Sequence, residues 1–159
     1  MLSSMFLWSA AVLAAVLQVP FVPQERDTCG PAALAMVLRF WGRSVSHDDL
    51  AAELDARELR GVAGSRLAEA ARSRGLTAIA YRGDAEQLRD YVGKGRPLVV
   101  AWDKGRGRFH NVVVVGFDGE DVVVHDPAKG ASRTVKRSTF EERWSGAGYW
   151  TLLVMPADP

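Results

Sequence analysis

Residues 110–126 read HNVVVVGFDGEDVVVHD, and they carry the strongest secondary-structure signal in the chain. Two runs of valine flank a central Phe-Asp-Gly-Glu. Valine is β-branched and favours strands, and Asp-Gly between two such runs is a strong turn signal. The runs lie too close together to be parallel neighbours, because a parallel connection needs a dozen or more residues. The stretch therefore predicts an antiparallel hairpin that pairs His110–Phe117 with Asp121–His125.

The loop of this hairpin decides which polar side chains meet, because a shift of one residue moves every side chain to the other face. One permitted loop is a two-residue turn at Asp118-Gly119, in which Phe117 pairs with Glu120. His110 then shares a face with His125. Such a histidine pair hints at metal binding, although no carboxylate or thiolate third ligand lies nearby.

The other permitted loop contains three residues, Phe117–Gly119, with its glycine in the left-handed conformation. Gly116 then pairs with Glu120, and His110 lies opposite Asp126. This register forms a histidine–aspartate couple. The plainer alternatives are a strand-end histidine and an Asp-Pro turn, since Asp before Pro starts turns whatever the function.

The chain's one cysteine, Cys29, precedes a helical pattern. Pro31 suits the first turn of a helix, and apolar residues recur behind it at helical spacing. The pattern predicts a helix over Pro31–Trp41 with Cys29 at its positive end. Because the reactive form of cysteine is the thiolate, this placement indicates a nucleophile. The alternative is a buried cysteine that packs as a small hydrophobic residue.

The other patterns predict helices before residue 75 and mostly strands after it. The predicted helices are one that follows Ser46, Ser65–Ser73, Asp84–Val92 and a short one at Ser138–Trp144. The predicted strands are Leu76–Tyr81, Pro97–Trp102 and Tyr149–Met155, with a β-permissive stretch at Ser132–Lys136. This order predicts an α+β fold, in which an N-terminal helical part packs on a C-terminal antiparallel sheet. We expect the aromatic residues Trp102, Trp144, Tyr149 and Trp150 to be core, with a cleft lining as the alternative.

Composition narrows the functional classes. The 159 residues are 48% hydrophobic and carry a net charge of +1, which is typical of one globular domain. A nucleic-acid partner is not expected, and the basic stretch Lys104–Arg108 is interpreted as a solvated hairpin tip. A single cysteine excludes an intrachain disulfide and a thiolate-rich zinc site. No cofactor or metal is expected.

The first 24 residues contain no charged side chain, and Met5–Leu17 is an apolar run. Its length resembles the core of a signal peptide and is short for a membrane span. We therefore expect residues 1–18 to be a signal peptide or a membrane anchor, with a buried helix as the alternative. Val19–Pro23 is interpreted as an extended linker. The domain at 19–159 is then exported, on the periplasmic or extracellular face of the membrane.

Three blocks of the sequence stand out when taken together. They are Gln24 with Cys29–Ala33 (CGPAA) five residues later, Phe109–Gly116 (FHNVVVVG) and Val124–Gly130 (VHDPAKG). Together they resemble the bacteriocin-processing, double-glycine leader peptidases, a branch of the papain-like cysteine peptidases. The resemblance extends from about Val19 to Met155. It implies a papain-like fold and a peptide or protein substrate, such as a leader peptide.

The resemblance also implies a role for four residues. Cys29 is implied as nucleophile, His110 as general base and acid, and Asp126 as the residue that orients His110. Gln24 is implied as a side-chain donor to the oxyanion, with the Cys29 backbone N–H as a second donor. For Gln24 the plain alternative is a solvated loop glutamine.

These residues lead to one principal hypothesis and two alternatives. The principal hypothesis is a cysteine endopeptidase that cleaves peptide bonds through a thioester intermediate. One alternative is a non-catalytic peptide-binding module on a peptidase-like scaffold. The other is an acyltransferase that passes the thioester's acyl group to an amine.

Overall fold

The computed structural model describes residues 15–57, 59 and 61–158, and within them the chain forms five helices and six strands. In chain order these are α1 Cys29–Phe40, α2 His47–Glu53, α3 Gly64–Arg72, β1 Leu76–Arg82, α4 Ala85–Gly93, β2 Leu98–Asp103, β3 Phe109–Asp118, β4 Asp121–Asp126, β5 Gly130–Val135, α5 Arg137–Gly146 and β6 Trp150–Pro156. Each predicted helix and strand is present. Their ends differ from the predicted ones by at most two residues, and α1 begins at Cys29 itself.

The six strands form one sheet in the order β1-β6-β2-β3-β4-β5, and every pair is antiparallel. The last strand, β6, lies between β1 and β2. The valine strands β3 and β4 are adjacent, as the sequence predicts. The α+β prediction is confirmed by this arrangement.

Helices cover both faces of the sheet. On the face that we call the first face, the N-terminal helices α1 and α3 pack against the strands, and α1 buries nine of its residues there. On the other, second face, α4 and α5 pack against Leu98, Val100, Val112 and Val114. Because the central strands are buried on both faces, their sequences are continuous apolar runs rather than alternating ones.

Two of the predicted helices begin with a side-chain cap. The Asp49 backbone N–H donates to Ser46 Oγ at 3.0 Å, and the Gln87 N–H donates to Asp84 Oδ1 at 2.9 Å. Each cap satisfies one of the unpaired N–H groups of a first helical turn and contributes about 1 kcal/mol to stability.

The segment before α1 packs against the domain, so its interpretation as a linker is wrong. Val19 and Val22 are buried, and Phe21 packs edge-on against the ring of His125. Further back, the Leu17 N–H donates to the Val115 carbonyl at 2.8 Å. The chain is extended here because of its prolines, but its apolar side chains are part of the core.

Most of the predicted signal peptide or anchor, residues 1–14, lies outside the described residues. Its last residues are described and lie against β3, where a Cβ on Gly116 would come within 3.2 Å of the Val16 Cα. None of the helices in the described part of the chain has the length and hydropathy needed to cross a membrane.

The hairpin loop differs from both predicted loops. The turn is Gly119-Glu120, with Asp118 paired to Asp121 and Phe117 to Val122. Gly119 has a φ of +58°, which explains the glycine at the first position of a two-residue turn. Both predicted loops are therefore wrong by at least one residue.

A β-bulge in β3 then changes the register. Beyond the turn Gly116 pairs with Val123, but Val114 pairs with Val124, so Val115 is an extra residue without a partner. The carbonyl of Val115 is the group that accepts the Leu17 N–H. The bulge is thus held by the N-terminal segment that crosses it.

Candidate active site

The bulge brings His110 and Asp126 to the same face of the sheet. Val113 pairs with His125, so the same register continued by one step places Asp126 opposite Val112. His110 lies two residues from Val112 and therefore on its face. Without the bulge His110 would share a face with His125, because the register would differ by one residue.

The two side chains are in direct contact. His110 Nε2 lies 2.7 Å from Asp126 Oδ1, and both residues are buried. Asp126 Oδ1 also accepts the Ala128 backbone N–H at 2.9 Å, within the turn that follows β4. Because Nε2 is engaged by the carboxylate, Nδ1 is the imidazole nitrogen left for another partner.

Cys29 is the first residue of α1 and is partly exposed. A tight turn before it sets its position. The Glu25 N–H donates to Thr28 Oγ1 at 2.9 Å, and the Thr28 hydroxyl donates to the Glu25 carbonyl at 3.0 Å. His47 Nε2 contacts the same hydroxyl at 2.7 Å. Thr28 is fully buried, so this turn is fixed against α2.

The Cys29 thiol and the His110 imidazole shift each other's pKa. Burial alone would raise the pKa of Cys29, but hydrogen bonding and charge interaction with His110, together with the Asn111 and Gly30 N–H groups, lower it. Burial alone would lower the pKa of His110, but Asp126 and Cys29 raise it. Burial opposes ionisation of Asp126 too, yet its hydrogen bond with His110 holds its pKa below the usual range. These shifts favour a thiolate–imidazolium pair beside a carboxylate.

Gln24 is tied to the turn that carries Asp126. Its backbone N–H donates to the Pro127 carbonyl at 3.0 Å. Its side-chain Nε2 donates to the Glu25 carbonyl at 3.2 Å, and its buried Oε1 has no hydrogen-bond partner among the described residues. The amide lies in the loop that leads into Cys29, and its role as an oxyanion donor stays a prediction.

Sequence reasoning missed Asn111. Its Nδ2 lies 4.0 Å from Cys29 Sγ, and a Cβ on Gly30 would come within 3.3 Å of that same nitrogen. The side chain of Asn111 points to the face opposite His110, since neighbouring strand residues alternate. The signal was its position directly after the predicted base.

His125 occupies a structural position on the first face. Its Nε2 donates to the Val19 carbonyl at 2.8 Å, and its Nδ1 accepts the Ser132 N–H at 3.0 Å. The histidine pair with His110, predicted for a two-residue loop, is therefore wrong. Within residues 15–57, 59 and 61–158, no three His, Cys, Asp or Glu side chains are grouped so as to hold a metal ion.

Two cavities meet the candidate site from opposite faces. A cavity of about 1060 Å³ includes His110 and Asp126 in its wall. A cavity of about 260 Å³ includes Asn111, Phe109 and Trp150. The predicted core position is confirmed for Trp144 and Trp102, although Trp102 also borders the larger cavity. Tyr149 and Trp150 are partly buried against the core, and Trp150 also borders the smaller cavity.

Comparison with known proteins identifies the family of this chain. The model of the Peptidase C39-like family matches residues 16–151. An uncharacterized protein of Methanothermobacter thermautotrophicus is 36% identical over 126 residues, which cover 79% of this chain and 82% of that protein.

Two solved structures share the fold. A double glycine motif protease from an AMS/PCAT transporter, in complex with its leader peptide, has a TM-score of 0.73 at 29% identity, covering 90% of this chain and 95% of its own. The peptidase domain of Streptococcus ComA, a bifunctional ABC transporter of a quorum-sensing pathway, has a TM-score of 0.74 at 26% identity, covering 86% and 97%. These matches confirm the predicted papain-like fold, and the chain belongs to the Peptidase C39-like family.

Proposed function

We propose that this protein is a cysteine endopeptidase in which Cys29 attacks a peptide bond. The observation that carries the proposal is the mutual arrangement of Cys29, His110 and Asp126. The thiol pKa is lowered and the imidazole pKa is raised, and the far imidazole nitrogen lies 2.7 Å from a buried carboxylate. A thiolate–imidazolium pair of this kind is the resting state that acyl transfer to sulfur requires.

The reaction follows from these groups. The Cys29 thiolate attacks the carbonyl carbon, and the charge that develops on the oxygen is stabilised by the Cys29 N–H at the start of α1 and by the Gln24 amide. The His110 imidazolium then gives its Nδ1 proton to the leaving amine, the C–N bond breaks, and a thioester remains. Water attacks the thioester while His110 accepts a proton from it, and the acid product leaves. Asp126 keeps the imidazole oriented throughout.

The substrate proposed is a peptide or protein, with leader-type Gly-Gly sequences as the first class to test. Support comes from the related double glycine motif protease, whose structure contains a leader peptide. The small cavity beside Asn111 adds an apolar surface next to the thiol. Peptide-binding sites of this kind are concave and mostly apolar.

We further propose that the domain works outside the cytoplasm, either released or held at the membrane by residues 1–18. The support is the uncharged, apolar composition of that segment. Fractionation of cells that express the full chain tests this. A protein found only in the cytoplasmic fraction, at its full translated length, would contradict it.

The experiment that tests the activity compares the full chain with Cys29→Ala and His110→Ala on a peptide library that includes Gly-Gly sequences. Both variants are expected to lose at least about 10³-fold in kcat, because the nucleophile and its base act as one unit. Circular dichroism and thermal unfolding confirm that each variant is folded. Turnover that survives Cys29→Ala would remove the proposal.

Gln24→Ala tests the oxyanion role on the same substrates. Removing one donor is expected to lower kcat by about 10²–10³-fold with little change in KM, because the hydrogen bond forms to the transition state. A change confined to KM would instead place Gln24 in ordinary substrate binding.

A further inference from the structure

The larger cavity starts at the proposed catalytic pair and is strongly basic. It lies on the second face of the sheet, between α5 and the loops that follow β2 and β4. Six cationic side chains border it: Lys104, Arg108, Lys129, Arg133, Lys136 and Arg143. Three carboxylates, Asp103, Asp126 and Glu142, border it as well. The whole chain is almost neutral at +1, so this excess of positive charge is a local feature.

Several of the charges around the cavity already have partners. Asp126 is held by His110, and Asp103 Oδ1 accepts the Gly105 N–H at 2.6 Å. Lys136 Nζ lies 2.8 Å from Asp121. Even with Lys136 paired, the cations at the cavity outnumber the three carboxylates.

Within the described part of the chain, five of the six cations form no ion pair with a carboxylate, and Lys136 is the exception. These are Lys104, Arg108, Lys129, Arg133 and Arg143, of which Arg143 lies over the Trp102 ring, 5.2 Å from its centroid. Arg133 pairs with Val124 across β4 and β5, which directs it to the second face. Lys104 and Arg108 close the β2–β3 loop through a 2.8 Å backbone hydrogen bond. Their positions at the cavity are thus set by the sheet.

The candidate site stands between this cavity and the apolar one. His110 faces the second face and Asn111 the first, so a peptide that crosses Cys29 has one cavity on each side. In the proposed reaction His110 gives its proton to the leaving amine. The residues that follow the broken bond therefore depart on the His110 side, where the basic cavity lies.

From this geometry we infer that the basic cavity binds acidic residues on the C-terminal side of the cleaved bond. The inference rests on the proposed peptidase function and names its substrate class: peptides with Asp or Glu shortly after the cleavage position. Complementary charge raises association rates and excludes wrong partners more than it raises affinity. Each exposed charge pair contributes a factor of about two to five.

A peptide fits the cavity better than a nucleic acid does. Among the described residues, Trp102 is the one aromatic side chain at the cavity apart from His110, and it is only 3% exposed. Binding of single-stranded nucleic acid relies on exposed rings that stack on bases. The cavity supplies charge without such a ring.

The test uses the full chain and two fluorescent peptides that are identical except after Gly-Gly, where one continues Glu-Asp-Glu and the other Gln-Asn-Gln. Wild type is expected to cleave the acidic peptide with a kcat/KM at least about fivefold higher. Arg108→Gln combined with Arg133→Gln should remove most of that preference. Arg106→Gln is the matched control, because Arg106 lies in the same loop but does not border the cavity. Lys104 is left intact, since its charge acts on Asp126.

Binding separates this inference from the peptidase proposal. On a Cys29→Ala background, fluorescence polarisation should show tighter binding of the acidic peptide, weakened by the double variant and by salt. If no peptide is cleaved but this preference remains, the peptidase proposal fails and the cavity assignment holds. Equal binding of both peptides, or a preference untouched by the double variant, overturns the assignment. Tighter binding of an oligothymidylate of equal charge at the same residues overturns it as well.

Discussion

Cys29 and His110 shift each other's pKa in opposite directions although both are largely enclosed by protein. Burial works against both charges, and the two pKa values shift towards the charged forms only because each group lies beside a partner of opposite charge. The carboxylate of Asp126 supplies the third charge. A neutral neighbour in its place would leave the imidazolium less stable and the thiol less acidic.

This coupling predicts the pH profile of thiol labelling. The Cys29 pKa is lowered, so alkylation by iodoacetamide should reach half its maximal rate below the range of a free cysteine, about pH 8.5. Asp126→Asn should move that midpoint upward, and His110→Ala further upward. Glutathione, labelled in parallel, gives the free-thiol profile. A wild-type midpoint equal to that of glutathione contradicts the predicted pairing.

At the scale of secondary structure, the bulge in β3 places the catalytic candidates. The bulge is held by a contact between two distant parts of the chain, since the Val115 carbonyl accepts the Leu17 N–H. Gly116 allows this crossing, since a side chain there would press on Val16 and Ala15. The local conformation of β3 thus depends on the segment before α1.

Gly116→Ala tests this crossing. Its Cβ would lie 3.2 Å from Val16 Cα, so the N-terminal segment must shift, and we expect a loss of about 1 kcal/mol in the free energy of unfolding. Gly93→Ala at the end of α4 is the control, since nothing lies within 4 Å of its added Cβ. Urea unfolding measures both. Equal midpoints for the two variants would show that the crossing is not tight.

For the molecule as a whole, the two faces of the sheet carry different parts of the candidate site. The first face carries α1 and the buried core on which Cys29 is placed. The second face carries α5 and the basic cavity, to which His110 and Asp126 are directed. The site is formed where a helix from one face meets strand residues directed to the other.

The described residues before α1 are part of the folded domain, and a pair of truncations tests how much they stabilise it. A chain that begins at Ala15 keeps the Leu17–Val115 hydrogen bond and the Val19 carbonyl that binds His125. A chain that begins at Pro20 loses both, together with the buried Val19 side chain, and should be less stable by about 2–4 kcal/mol. Urea unfolding compares them. Equal stability would show that residues 15–19 add nothing to the stability of the domain.

The local structure and the residue types of the site could be predicted from short stretches of the sequence. Propensity and capping act over a few residues. Short stretches of sequence are therefore enough to predict the helix starts after Ser46 and Asp84, the valine hairpin, and the position of Cys29 at a helix start. The three blocks that carry Gln24, Cys29, His110 and Asp126 could also be recognised from the sequence, because family resemblance depends on residue order alone.

Which of these residues meet depends on contacts between distant parts of the chain. A β-strand repeats every two residues, so one extra residue at Val115 exchanges the faces of everything beyond it. That extra residue is held by Leu17, nearly a hundred residues earlier in the chain, and no local pattern around the hairpin contains this contact. The same holds for the basic cavity, whose cations come from separate loops, a strand and a helix that only the folded sheet brings together.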